Sequence, residues 1–210
     1  MPEPALLNGS STCWHTDGEV AARPGDIAEN ILDTTHTSVV HAGYLRQASH
    51  RQPVRILAEA GPDWIAARYP TSAAPGGWAA RMIGVGGFMI EDRFRAPGIA
   101  EVTYSGSSGP AFSARFRLTP RDAHRTYIAA TFAVAGKGIA AAIKLSALKL
   151  FFLRIFAQDR AILEMINMNL AAHGSAPLLY TPADILRPGI DAILDCRKPL
   201  PPPSPLVLRV

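Results

Sequence analysis

Residues 139–172, IAAAIKLSALKLFFLRIFAQDRAILEMINMNLAA, are the longest stretch of the chain with a helical composition. Ala, Leu, Ile, Lys and Met dominate it, and neither Gly nor Pro occurs before Gly174, which is suited to end a helix. At 1.5 Å per residue such a helix is about 50 Å long, so it must cross a sheet or extend beyond it. Its apolar side chains around Leu145, Leu148 and Phe152 indicate that a sheet packs against it.

Residues 53–134, which precede this helix, alternate between short β-type runs and turn signals. The six candidate strands are VRILAEA, DWIAARYP, GFMIEDRF, IAEVTYS, AFSARFRL and RTYIAATFAV. The sequences AGPD, APG, GSSGP and LTPRD join them at hairpin spacing, which favours an antiparallel meander. The predicted fold class is therefore α+β, with a helix-grip (START-like) architecture: an antiparallel sheet of about six or seven strands wrapped around the long C-terminal helix.

The ends of the chain read as less regular than its middle. Residues 1–24 are rich in Pro, Gly and Ser and predict an irregular lead-in, and residues 196–210 predict an extended, Pro-rich tail. Residues 25–195 would form the folded domain between them. This domain is expected to begin with a helix from about residue 26 to about residue 35, with Asp26 or Gly25 near its N-cap.

A further short helix is expected shortly after the long one. It would occupy residues 182–186, or else residues 188–194, because a proline begins each of these segments.

Composition excludes several classes of protein. A chain of 210 residues with 48% hydrophobic and 18% charged residues suits one folded domain. The net charge of +4 comes from scattered basic residues, so nucleic acid is not an expected partner. No membrane span is expected, because Lys144, Lys149 and Arg154 interrupt the most apolar stretch. The N-terminus lacks the features of a secretory signal and only Cys13 and Cys196 are present, which together indicate the reducing cytoplasm.

The segment that carries chemistry is NILDTTHTSVVH, residues 30–41. It places Asn30, Asp33, His36 and His41 within twelve residues. Two histidines five apart are separated by about 140° on an ideal helix, so both can reach one metal ion only if the helix ends or bulges between them. The alternative is a surface pair of Asp33 and His36 with His41 as an ordinary partly buried histidine, and the bare histidine spacing favours that alternative.

The complete pattern NxxDxxHxxxxH resembles the signature of the catalytic domain in Rieske non-haem iron oxygenases, especially the vanillate O-demethylase and dicamba monooxygenase branch. A later segment, FAQDRAILE from Phe156 to Glu164, looks like the family's F-x-x-D-x-x-x-x-E segment. The resemblance implies that His36, His41 and Asp159 are the ligands of a mononuclear Fe(II). Without the resemblance, the preferred interpretation of Asp159 is a solvated helix carboxylate paired with Arg160 or with nearby Lys residues.

The resemblance also implies roles for the other two polar residues of the segment. Asp33 corresponds to the carboxylate that links a neighbouring electron-donor centre to a ligand histidine, and Asn30 would lie beside the iron. Two imidazoles and one carboxylate hold iron on one face and leave positions open for O2, the co-substrate, and for the organic substrate. An acceptor such as Asp33 on the far ring nitrogen of His36 would fix the tautomer of that histidine.

The chain lacks the ligands of a Rieske [2Fe-2S] cluster, because Cys13 and Cys196 cannot supply the required CxH and CxxH pair. The expected protein is thus a fragment, a separate subunit or a degenerate relative, and it should need electrons from an external Rieske domain or subunit and a reductase. Relatives form head-to-tail homotrimers, which places one subunit's cluster near the next subunit's iron. Asp33 would then lie at this junction.

The expected function is hydroxylation or oxidative demethylation of an apolar, aromatic or polycyclic small molecule. The first alternative is a non-catalytic helix-grip domain that binds a hydrophobic ligand. A zinc hydrolase using the same ligands is a weaker alternative, because imidazole and carboxylate do not exclude zinc.

Overall fold

The structure is a computed structural model that describes residues 11–33, 53–70, 89–174, 179–202 and 204–209. Within these ranges the elements follow one another as β1 (Ser11–Val20), α1 (Pro24–Leu32), β2 (Pro53–Ala60), β3 (Trp64–Pro70), β4 (Met89–Arg95), β5 (Ile99–Gly106), β6 (Gly109–Pro120), β7 (Thr126–Ala135), α2 (Ile139–His173), α3 (Arg187–Leu194) and β8 (Leu206–Arg209). No helix among the described residues is long and apolar enough to cross a membrane.

The strands form one sheet of eight in the order β1-β7-β6-β5-β4-β3-β2-β8. Every neighbouring pair is antiparallel. Strands β2 to β7 correspond to the six predicted runs, and short hairpin connections such as β5–β6 keep consecutive strands adjacent. The predicted α+β class with an antiparallel sheet and a long helix is confirmed.

The two faces of the sheet differ in chemistry, as the two-residue period of a strand requires. One cross-strand row contains Phe94, Ala100 and Phe116, all buried, on the face that packs against the helices. The adjacent row contains Arg93, Glu101 and Arg115 on the opposite face. Nε of Arg115 donates to the Glu101 carboxylate at 2.6 Å, so this face is stabilised by ion pairs.

The long helix α2 was predicted over residues 139–172 and extends one residue further, to His173. Its buried side chains include Leu145, Leu148 and Ile155, which lie on one side and pack against the sheet. Aromatic rings dominate this contact: the ring of Phe152 lies 5.3 Å from those of both Phe112 and Phe132. The helix is apolar on its outer side as well, and that side is exposed.

The predicted irregular lead-in is wrong over Ser11–Val20, which form β1 and pair with β7 along their whole length. The strand escaped prediction because only one of its faces is apolar. The indole of Trp14 stacks on Phe132 at 4.8 Å, whereas Asp17 on the other face accepts a hydrogen bond from the Tyr127 hydroxyl. Residues 1–10 lie outside the described part of the chain.

Helix α1 begins two residues earlier than predicted. Arg23, in extended conformation, is its N-cap and Pro24 is its first residue, which suits a ring whose φ is already helical. Asp26, predicted near the N-cap, lies in the first turn, where its carboxylate accepts a 2.7 Å hydrogen bond from Nε of Arg23. The helix ends at Leu32, and its predicted end near Thr34 and Thr35 lies outside the described residues.

The C-terminal segment adds a helix and an edge strand. Helix α3 corresponds to the second of the two predicted positions, residues 188–194. The tail was predicted as extended but outside the domain, whereas its last part, β8, pairs with β2 and extends the sheet. A strand of four residues after a proline-rich run is too short for the alternation of apolar and polar residues to reveal it.

Candidate metal centre and substrate cavity

Asp159 lies in the second half of α2, on the side that faces the body of the protein. Its side chain is half-buried, and its oxygen Oδ1 is shielded from solvent. Phe156 and Leu163, one turn before and after it, lie on the same side of the helix and are directed inward with it. Nε of Arg160 donates to Glu164 at 2.7 Å. A solvated surface carboxylate, the alternative for Asp159, does not fit this buried oxygen.

Asn30 approaches the same space from α1. This short helix is anchored by Ile27, which is fully buried, and Asn30 follows three residues later on the same side. Asn30 and Asp159 both line one cavity of about 440 Å³. Two residues separated by 129 positions in the sequence, each predicted as part of one site, are therefore brought to a common cavity.

The wall of this large cavity is mainly apolar and aromatic. Strands β5 and β6 and helix α2 contribute the rings of Tyr104, Phe112, Phe116, Phe152 and Phe156. These rings pack on one another across the sheet–helix contact, with 5.9 Å between the centroids of Phe116 and Phe156 in an edge-to-face arrangement. Such a wall suits a flat apolar ligand, because aromatic faces and edges both offer favourable contacts to a ring.

Asp33 lies at a different place from Asn30, although both belong to the end of α1. It is the C-cap of the helix, and it lines a second cavity of about 30 Å³. Tyr69 and Asp92 line this small cavity as well, and the Tyr69 hydroxyl donates to the buried Asp92 carboxylate at 2.6 Å. A volume of this size corresponds to about one water molecule.

A buried arginine joins α1 to α3 beside the small cavity. Arg187 contacts the carboxylate of Asp26 at 2.9 Å and that of Asp191 at 2.8 Å, and it also donates to Glu29. Burial alone would lower the pKa of Arg187, but the charges of Glu29 and Asp191 outweigh this effect and raise it. Burial also raises the pKa of Glu29, against the opposing influence of Arg187.

This ion cluster and the Tyr69–Asp92 pair were not predicted. Spacing of four residues between Arg187 and Asp191 was a visible signal for one of the contacts, since such residues meet on a helix. The contacts from Arg187 to α1 join residues about 160 positions apart, which spacing does not reveal.

Both predicted histidine ligands, His36 and His41, lie outside the described residues. Among the residues that are described, no three His, Cys, Asp or Glu side chains form a group that could hold a metal. The ligand set can therefore be tested here only for Asp159. A carboxylate with a buried oxygen on the wall of an apolar cavity fits an iron(II) ligand, because a carboxylate oxygen is one of the donors of mononuclear iron sites.

The model of the vanillate O-demethylase oxygenase C-terminal domain family matches residues 20–192, well over half of the chain. The chain belongs to this family. The resemblance found in the sequence motifs is confirmed.

Several solved structures share the fold at low sequence identity. The crystal structure of dicamba monooxygenase bound to dicamba superimposes with a TM-score of 0.70 at 12% identity, over 93% of this chain and 61% of that chain. NdmA of Pseudomonas putida CBB5 with caffeine gives 0.68 at 16% identity, over 98% and 62%. The chain thus spans about three fifths of the length of these relatives. A comparison with curated protein sequences gives no significant match.

Proposed function

We propose that this domain is the oxygen-activating part of an oxygenase, with a mononuclear Fe(II) held by His36, His41 and Asp159. The observation that carries the proposal is the meeting of Asn30 and Asp159 on one aromatic cavity of about 440 Å³. Family membership independently supports the same chemistry, since the matched family model is that of an oxygenase domain.

The bound iron would supply the activation of O2, and the protein's residues would control what reaches it. Asp159 would hold the metal from α2, and its buried setting favours a paired carboxylate over an isolated one. Asn30 would orient a ligand beside the metal through its side-chain amide, which offers both donors and an acceptor. The apolar wall would exclude water and retain the substrate close to the metal.

The substrate would be an apolar, aromatic or polycyclic small molecule that is hydroxylated or oxidatively demethylated. A cavity of about 440 Å³ lies within the range of small-molecule sites. The rings of Phe112, Phe116 and Phe152 favour a planar ligand over a flexible polar one.

Electrons would come from a Rieske centre outside this chain, reduced in turn by a reductase. The chain's two cysteines cannot build that centre. Asp33 is the proposed junction residue. The position of Asp33 supports this role. Asp33 lines the small cavity with Tyr69 and Asp92, whereas Asn30 at the end of the same helix lines the large cavity. A head-to-tail homotrimer and a cytoplasmic location remain predictions.

Metal content is the direct test of the site. The protein is loaded anaerobically with Fe(II), desalted and analysed for iron, alongside Asp159→Ala and His36→Ala. Wild type should retain about one iron per chain, and each variant should lose at least tenfold in affinity. Glu164→Ala is the matched control on the same helix, because its carboxylate is paired with Arg160 and it should retain iron. Unchanged iron content in Asp159→Ala would remove this ligand assignment.

A second experiment separates the oxygenase from a binding module. A separately made Rieske domain from a relative, with its reductase, is added to the iron-loaded protein, and oxygen consumption is recorded. Asp33→Asn should slow electron delivery while iron content stays at the wild-type level. Bound iron without turnover with any donor would favour the non-catalytic binding domain. A zinc hydrolase would consume no oxygen with any reductant, because zinc is not redox-active.

A further inference from the structure

The outer side of the first half of α2 is apolar and open to solvent. Ile139, Ile143, Leu150 and Leu153 are exposed by 81%, 64%, 73% and 43% respectively. Their spacing of four, seven and three residues places them on one side of the helix, opposite the buried Leu148. These four side chains, here called the outer face of α2, extend over about 21 Å of helix. Large exposed aliphatic side chains grouped on one side of a helix are a candidate interaction surface.

Positive charge flanks the outer face. Lys137 and Arg154 are exposed along it, whereas the Lys149 ammonium lies 5.1 Å from the centre of the Trp14 ring of β1. No Asp or Glu occurs in the sequence between Asp122 and Asp159, so the first half of α2 contributes cations alone. A surface with this charge attracts an anionic partner and repels a cationic one.

The chemistry of the face distinguishes between possible partners. Two copies of the chain packed through this face would oppose cations with cations, which is unfavourable at the separations of a helix pair. Protein interfaces concentrate their binding energy in Trp, Tyr and Arg. The centre of this face has none of the three, and the small exposed Ser146 lies there between Ile143 and Leu150. Aliphatic side chains with a rim of Lys and Arg are the pattern of helices that lie in the interface of a bilayer containing anionic lipid.

We propose that the outer face of α2 binds the surface of an anionic lipid bilayer, with the aliphatic side chains among the acyl chains and the cations at the headgroups. The helix lies on the bilayer and does not cross it. This interaction surface goes beyond the proposed function and does not depend on it. One consequence does rest on the proposed function: Leu153 also lines the large cavity, so an apolar substrate dissolved in the bilayer would lie next to its site of oxidation.

Vesicle flotation tests the proposal directly. Purified protein is mixed with vesicles of phosphatidylcholine alone or of phosphatidylcholine with phosphatidylglycerol, and the bound fraction is measured over a range of lipid concentrations. Binding to the phosphatidylglycerol vesicles should be at least tenfold tighter than to phosphatidylcholine, and high salt should weaken it. Equal binding to both vesicles, or none to either, would overturn the proposal.

Variants assign the binding to this face. Leu150→Ser should weaken it about tenfold, because most of a leucine side chain is no longer transferred from water. The double variant Lys137→Gln/Arg154→Gln should weaken it about 25-fold, at about fivefold for each cation. Leu179→Ser is the matched control, since Leu179 is 89% exposed and lies outside the face, and it should bind as wild type. Equal loss in Leu179→Ser and Leu150→Ser would refute the assignment.

Sedimentation velocity without lipid tests the competing possibility that a second copy of the chain binds the outer face of α2. Concentration-dependent self-association that Leu150→Ser abolishes, together with no vesicle binding, would make the face an interface between copies of the chain and overturn the proposal. Neither measurement needs iron or turnover, so a failure here is distinct from a failure of the oxygenase assignment. Thermal unfolding of each variant shows whether the fold is retained, which these exposed positions should allow.

Discussion

Replacement of Arg187 by Ala is expected to lower the free energy of unfolding by about 3 kcal/mol. The guanidinium is 6% exposed and is the common partner of Asp26, Glu29 and Asp191. Its removal leaves three partly buried carboxylates close together without the cation that compensates them. The free energy of unfolding should fall strongly because the attraction of Arg187 for the carboxylates is lost and because the carboxylates then repel one another.

The structure sets the size of this effect at the lower end of the usual range. Removing one partner of a buried ion pair costs about 3–5 kcal/mol. Glu29 is 35% exposed and can regain water, and Asp26 keeps its contact with Arg23 at 2.7 Å. A loss of about 3 kcal/mol corresponds to a decrease in Tm of about 6–12 °C for a chain of this length.

Urea unfolding at neutral pH measures the change, with Arg197→Ala as the matched control. Arg197 also pairs with a carboxylate, that of Asp195, but the two side chains are 67% and 63% exposed. The control should change stability by no more than about 0.5 kcal/mol. Repetition at lower pH should reduce the deficit of Arg187→Ala, because protonation removes the repulsion among the carboxylates. Equal effects of the two variants, or a deficit that grows in acid, would refute the reasoning.

Three other substitutions test particular contacts by urea unfolding. Glu29→Gln should flatten the pH dependence of the free energy of unfolding. Burial raises the pKa of Glu29 above 4.5, so the native state binds this proton more tightly than the unfolded state does. The stability of the wild type therefore falls as the pH rises from 4.5 through the raised pKa. An unchanged pH profile would contradict this. Phe152→Ala should lower the free energy of unfolding by about 3 kcal/mol, because the ring no longer contacts Phe112 and its other aromatic neighbours. A decrease below about 1 kcal/mol would mean that the ring is not part of the core. Gly189→Ala should lower the free energy of unfolding by about 1–3 kcal/mol, because a Cβ at this position would lie 2.3 Å from Cδ1 of the buried Ile65. An unchanged free energy would show that the Ile65 side chain moves aside freely.

The parts of the fold that were predictable from sequence are those with a strong local signal. Helix α2 is marked by 34 residues without Gly or Pro, and β2 to β7 by alternating runs between turn residues. Strand β1 lacked such a signal because residues such as His15 and Asp17 on its outward face are polar, and its inward face is defined by contacts with β7 and with α2. Pairing across more than a hundred residues leaves no local periodicity to detect.

The candidate site was proposed from its motifs and not from any geometry that the sequence reveals. The spacing around Asn30 and the segment around Asp159 indicated the same metal centre only when both were compared with a known family. That the two residues line one cavity depends on how α1 packs against α2 and the sheet, which is a property of the folded chain. Whether His36 and His41 complete the ligand set stays a prediction.

Helix α1 has a position that links the two cavities, since it forms part of the wall of both. Ile27, Asn30 and Ile31 on one side of the helix line the large cavity. Glu29 and Leu32 on the other side line the small one together with Asp33. Because the same helix forms part of both walls, a shift of α1 would change the substrate side and the proposed electron-transfer side together. The ion cluster around Arg187 ties this helix to α3, so its loss should disturb the walls of both cavities.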